Sequence, residues 1–297
     1  MRHLYDSKSD SWRTDESIVK MQEKPFDEGA MRQCYRLKKL SQLPAEATNH
    51  HYHSIDWNSA PNYVAKSYKT LDGSVNTSPE GRRACYDDIR LQYEAAHHAD
   101  AFNGTDPPKR IHIIRAYVVE FPDRPGSPVM AVERFIDGTD EYGRTFVKHN
   151  TNSGFVDSDL HRATPQTFSA HSFYSSRGER MVVDIQGVGN LFTDPQVHSR
   201  DSRFGDADLG VRGFALFFQS YEHSSLATAL GIPRFEMSRR ERARRRSEDR
   251  EREKPRSGSF ASRRKSTAVM ADDRKSSRMT QKAALKACRM AGFEPDR

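Results

Sequence analysis

Met181-Val182-Val183-Asp184-Ile185-Gln186-Gly187-Val188-Gly189 is the most informative stretch of this 297-residue chain. A short apolar, β-branched run reads as a buried strand. It ends in a carboxylate and an amide, followed by a Gly-x-Gly turn. On an extended strand Asp184 and Gln186, two apart, point the same way. Asp194 follows in Phe192-Thr193-Asp194-Pro195. Two Asp and a Gln supply the hard oxygen donors that Mg²⁺ prefers, with positions left for water and phosphate. An Asp that merely caps a turn after a buried strand is the commoner arrangement, so the stretch alone leaves both readings open.

Outward from this stretch lie two weaker signals. Gly205-Asp206-Ala207-Asp208-Leu209-Gly210 opens a helix. Backbone N–H groups at a helix start suit anions, but most such loops are only turns. Asn62-Tyr63-Val64-Ala65-Lys66 places a Lys at the end of a short apolar strand. Such a Lys can neutralise nucleotide phosphates, or simply face solvent.

The elements between these signals are legible. Arg110 to Phe121 and Val129 to Ile136 read as strands joined by the turn-forming Pro122 to Pro128. Ser78-Pro79 starts a helix to about Ala99, with Cys85, Ile89, Tyr93 and Ala96 on one face. Thr164-Pro165 repeats the start signal, and Asp208 caps a third helix. Residues 1–17 are polar and expected to be flexible.

Charge divides the chain. Gly231 to Arg297 carries 21 basic and 10 acidic side chains, whereas the rest carries 27 and 31. A mildly acidic body thus bears a basic tail, so the net +7 does not mark a nucleic-acid-binding body. Between Ser238 and Ser259 no aromatic residue interleaves the arginines, which weakens a base-stacking role. Residues 238–297 read as a disordered, Ser-rich linker. Arg263-Arg264-Lys265-Ser266 and Arg274-Lys275-Ser276 set hydroxyls beside cations as phosphorylation sites. Cys34, Cys85 and Cys288 are odd in number and far apart, which argues against a disulfide framework and for a reducing, cytoplasmic setting. No apolar run reaches the ~20 residues of a membrane span, and the N-terminus shows no secretory signal.

Taken together these segments resemble the alpha-kinases, an atypical protein kinase family, over residues 18–241. The motifs are Lys24-Pro25-Phe26, Gly29-Ala30-Met31-Arg32, Lys38-Lys39-Leu40, Asn62 to Lys66, Asp88 to Gln92 and Asn152 to Val156. Thr164-Pro165-Gln166, Val183 to Gly189 and Leu209 to Gly213 complete the set. The resemblance implies an α+β, two-lobed kinase fold over residues 18–237. It implies ATP and Mg²⁺ as cofactors and transfer of phosphate to a protein serine or threonine. By match, Lys66 binds ATP phosphate, Arg32 lies over the phosphates, and Glu133 contacts adenine. Asp184 orients the substrate hydroxyl. Gln186 and Asp194 hold Mg²⁺, and Gly205 to Gly210 falls on the family's Gly-rich segment. Lys109, Arg162 and Thr164 match a phosphothreonine-docking pocket.

The branch it most resembles acts on translation elongation factor 2, so a threonine of that factor is the implied substrate. Calmodulin controls that branch, but its binding segment should lie upstream of the present start. Neither membrane nor nucleic-acid partners are implied. Two departures stand out. Ala207 replaces a glycine, which restricts φ, and Thr139 to Arg144 is an insertion. The family's structural zinc takes two His and two Cys, yet the aligned positions are Ala170, Tyr221, His223 and Ala227. A zinc-free second lobe follows, with Phe173, Tyr221 and Leu226 covering the alanines. A nucleotide-binding pseudokinase is the alternative to an active kinase, favoured by Ala207 and the lost zinc ligands.

Overall fold

The computed structural model describes residues 1–29, 32–40, 56–69, 76–156 and 162–235. The expected linker 238–297 therefore lies outside the described residues. Two compact units divide the chain. One holds Met1–His97 and His112–Thr145; the other holds His98–Ile111 and the described chain from Phe146.

The first unit is built on an antiparallel sheet. Its strands are β1 (Arg2–Asp6), β2 (Ser11–Asp15), β3 (Val19–Met21), β4 (Asp27–Glu28), β5 (Arg32–Lys39) and β6 (Asn62–Tyr68). After helix α1 (Pro79–Asn103) come the two-residue β7 (His112–Ile113), then β8 (Ala116–Glu120) and β9 (Val129–Arg134). The spatial order is β2-β1-β8-β9-β6-β5-β3, with β4 also on β5. Residues alternate between two cores, as a pleated strand requires. Tyr35, Leu37, Ala65, Tyr117, Met130 and Val132 gather on one face. Ala116, Val118, Val129 and Ala131 pack on the other with Cys85 and Ile89 of α1. Ser78 caps α1, its Oγ accepting the Gly81 N–H at 3.1 Å.

Two sequence readings are corrected here. Residues 2–15 form the β1–β2 hairpin, with β1 paired to β8 through Arg2–Val119 and His3–Val118. The polar composition hid an aromatic anchor: Tyr5 and Trp12 pack at 5.0 Å and reach Tyr93 and Tyr86 of α1. The single strand read over Arg110 to Phe121 is broken at Ile114-Arg115, where Gln92 of α1 donates to the Ile114 carbonyl instead.

The second unit contains β10 (Val147–Lys148), α2 (Ala163–Ser175), β11 (Arg180–Val183), β12 (Gln186–Val188), β13 (Leu191–Thr193) and β14 (Gln196–Ser199), then α3 (Gly210–Ser220) and α4 (Ser225–Ala229). β11 pairs with β14, while β12 pairs with β10 and β13. Helix α2 starts at Ala163, and Thr164 is buried in its first turn rather than capping it. Ala170, Phe173, Phe214, Phe217, Phe218, Tyr221 and Ala227 form the core. Tyr221 stacks on Phe217 at 5.3 Å, and Phe235 lies parallel to Phe218 at 4.3 Å. Leu230, rather than the expected Leu226, packs on this cluster. Aromatic burial thus holds the region around Ala170, Tyr221 and Ala227. Among the described residues no three His, Cys, Asp or Glu side chains gather to hold a metal, and no helix is long and apolar enough to cross a membrane.

His198 on β14 ties this unit together. Its Nδ1 accepts the Leu209 N–H at 3.1 Å, so Nε2 carries the proton and donates to the Asn152 carbonyl at 2.9 Å. A Cβ on Gly213 would lie 2.2 Å from the ring, so only glycine lets α3 approach it. Burial pushes the His198 pKa down to about 4. The unfolded chain therefore takes up a proton near pH 6.5 that the folded chain refuses until about pH 4. Stability is complete above pH 6.5 and falls with acidification by up to about 1.4 kcal/mol per pH unit, on the order of 3 kcal/mol in all. Urea unfolding at pH 7.5 and 5 should show this loss, and His198→Gln should flatten it.

Candidate active site

In the first unit the chemistry centres on Lys66. It lies within β6 rather than at its end, and faces α1 beside Ala131 of β9. Glu133 sits diagonally opposite on the same face. Lys66 Nζ lies 2.8 Å from Glu133 Oε1, with side chains only 9% and 6% exposed. Gln92 of α1 donates to Glu133 Oε2 at 3.2 Å. A buried carboxylate needs both a counter-charge and hydrogen bonds, and this trio supplies them. Glu133, expected to contact adenine, places its side chain against Lys66 and Gln92.

Arg32, expected over phosphates, instead binds Asp88 Oδ2 at 2.8 Å. Tyr68 donates to the same oxygen at 2.7 Å, and the Arg32 guanidinium lies over the Tyr68 ring at 5.8 Å. Burial and the Asp88 charge push the Tyr68 phenol pKa up, so it stays protonated. Sequence reading missed Asp88, Tyr68 and Gln92 as members of this array. The α1 spacing that puts Asp88 and Gln92 four apart was the available signal.

In the second unit Asp184, Gln186 and Asp194 do converge. Gln186 Nε2 donates to Asp184 Oδ2 at 3.2 Å and to the Asp194 carbonyl at 3.4 Å. The route differs from the expected continuous strand. β11 stops at Val183, Asp184 adopts φ +60°, and a new strand starts at Gln186. The break lets β11 and β12 join different neighbours. Gly187 is obligatory: its Cβ would fall 2.0 Å from the Leu191 carbonyl oxygen. Two carboxylates and an amide make an all-oxygen donor set that fits Mg²⁺. Lys148 of β10, which sequence reading missed, places Nζ 2.7 Å from Asp184 Oδ1. Its alternation in Val147-Lys148-His149 was the only cue.

The Gly205 to Gly210 loop, expected to meet nucleotide or substrate, has a carboxylate of its own at its centre: Asp208 accepts the N–H groups of Ser199 and Gly210 at 2.9 Å, and that of Phe204 at 3.2 Å. Gly205 and Gly210 take positive φ, whereas Ala207 does not, so Ala207 brings no strain. Arg162 precedes α2 and clamps the tip of the β12–β13 hairpin, donating to the Gly189 carbonyl at 2.5 Å and Asn190 Oδ1 at 2.8 Å. Lys109 is half-buried in the same unit.

The alpha-kinase family model matches residues 27–227. The chain is 41% identical over 242 residues to eukaryotic elongation factor 2 kinase of Homo sapiens, covering 81% of this chain and 30% of that protein. It is 32% identical over 223 residues to myosin heavy chain kinase B of Dictyostelium discoideum, covering 74% of this chain and 26% of the relative. The chain thus spans less than a third of these relatives. Among solved structures, the alpha-kinase domain of myosin heavy chain kinase A in complex with ADP superimposes with a TM-score of 0.64 at 28% identity, over 78% of this chain and 96% of that one.

The Lys66–Glu133 pair makes a stability prediction. Removing one buried partner strands the other charge, which costs about 3–5 kcal/mol. Lys66→Met should therefore unfold at markedly lower denaturant, and Lys66→Met/Glu133→Gln should recover most of the loss. Equal stabilities for the single and double variants would contradict the pair's burial.

Proposed function

The chain belongs to the alpha-kinase family, and from that membership we propose that it is an ATP- and Mg²⁺-dependent serine/threonine protein kinase. The observation that carries the proposal is the joint presence of a fixed lysine and a poised carboxylate, Lys66 and Asp184, within the residues that the family model matches. Lys66 is held by Glu133 before any ligand arrives, so its ammonium meets phosphate oxygens without reorganisation. Asp184 orients the attacking hydroxyl and accepts its proton. Gln186 and Asp194 would hold Mg²⁺, which neutralises phosphate charge when bound. Lys148 balances Asp184 in the resting site. The pair is half-exposed on the lysine side, and such pairs open at little cost.

The substrate we propose is a threonine of translation elongation factor 2, supported by the 41% identity to the human enzyme named for it. A cytoplasmic setting belongs to the same proposal. Phosphate transfer from Mg·ATP to elongation factor 2 tests it. Asp184→Ala and Lys66→Met should each lose several kcal/mol of transition-state stabilisation, at about tenfold in rate per 1.4 kcal/mol. Unchanged rates in both would refute the assignment.

Lys109, Arg162 and Thr164 are proposed to dock a phosphothreonine, and phosphorylation of the tail would regulate the kinase. Arg162 already grips the hairpin that follows Gln186, which gives a bound phosphate a route to the site. Phosphorylated Arg162→Ala protein should lose the activation that a phosphothreonine peptide confers on wild type; equal activation would remove the pocket.

A further inference from the structure

Gln166 stands in the Thr164-Pro165-Gln166 start of α2, and nothing above uses it. Its amide is buried, 8% exposed, and meets another amide that is entirely buried, Asn150. Asn150 Nδ2 donates to Gln166 Oε1 at 2.8 Å and to Ser169 Oγ at 3.1 Å. Gln166 Nε2 donates to the His149 carbonyl at 2.7 Å. The free end of this circuit reaches the candidate site: Asn150 Oδ1 accepts the N–H of Ile185 at 3.0 Å. The Ile185 carbonyl in turn accepts the His149 N–H at 2.8 Å.

We propose that Asn150 and Gln166 are a positioning pair that fixes the direction of Asp184. The proposal rests on the reading of Asp184 as the hydroxyl-orienting carboxylate. Asp184 holds φ +60°, a left-handed conformation that a Cβ disfavours and that aspartate tolerates better than most residues. The Asp184–Ile185 peptide sets its ψ, and Asn150 Oδ1 holds that peptide by its N–H, while the His149 N–H holds the next peptide by the Ile185 carbonyl. The circuit has one polarity. Ile185 offers only a donor, so Asn150 must accept there and donate to Gln166. Gln166 must then accept from Asn150 and donate to His149. Each of these donors and acceptors is used in the right sense, which is how a buried polar network specifies a single geometry.

A network that served only the core would lower stability and leave turnover per folded molecule intact. The test is therefore kcat and KM for ATP of the full chain, normalised to protein that binds a fluorescent ADP analogue. The variants are Asn150→Ala, Gln166→Met, the double variant, and Asp184→Ala as reference. Misplacing a reacting group by about 1 Å can cost on the order of 100-fold. On that scale kcat should fall about 100-fold for Asn150→Ala and about tenfold for Gln166→Met, with KM for ATP within about twofold of wild type. The double variant should be no worse than Asn150→Ala, because the two act as a unit. Wild-type kcat per binding-competent molecule, additive losses in the double variant, or variants that bind no nucleotide at all would each overturn the pair. If Asp184→Ala keeps its turnover, the reading of Asp184 falls; if it is inactive while the pair variants are not, only the positioning role falls.

Discussion

The left-handed backbone at Asp184 is the constraint around which the second unit is arranged. There the chain leaves β11, paired with β14, and enters β12, paired with β10 and β13. An uninterrupted strand would carry Gln186 along the β11–β14 pair and away from the hairpin. Asp184 and Asp194 both take positive φ, at +60° and +53°, on either side of the β12–β13 hairpin. A hairpin returns its ends to one place, so two acids distant in sequence flank Gln186 together. The Gly189-Asn190 turn closes it, with Gly189 at φ +60° as a tight two-residue loop requires.

The first unit solves a different problem, that of keeping a cation on a largely apolar sheet face. Val64, Ala131 and Val118 surround the level of Lys66 with hydrocarbon. An unpaired ammonium there would shed its charge or open the fold. Glu133 supplies the opposite charge, and Gln92 satisfies the second carboxylate oxygen from α1. Helix and sheet are thus locked by the same polar contact that presents the lysine. The adjoining Arg32–Asp88–Tyr68 array repeats the device at the other side of α1's polar face.

The sequence pattern disclosed what depends on periodicity and on short motifs. The α1 helix, β8, β9 and the strand that carries Lys66 were all legible. Readings failed where tertiary pairing overrides local signals. Nothing in Asp184-Ile185 announces a change of sheet, because Asp lacks the tell-tale of glycine. The polar 1–17 segment concealed a hairpin whose aromatic anchors are Tyr5 and Trp12. Nothing in the Gly205 to Gly210 spacing announced that Asp208 would accept the Ser199 and Gly210 N–H groups. Partners such as Lys148 and Asn150 carry no motif of their own; only the folded register brings them to the residues they hold.

The account makes Asp184 a residue whose backbone conformation suits glycine better than aspartate and whose side chain is kept for chemistry. Asp184→Gly separates the two. The account predicts a protein at least as resistant to thermal unfolding as wild type, with phosphate transfer from Mg·ATP reduced to background. A marked loss of thermal stability, or transfer that survives without the carboxylate, would contradict it.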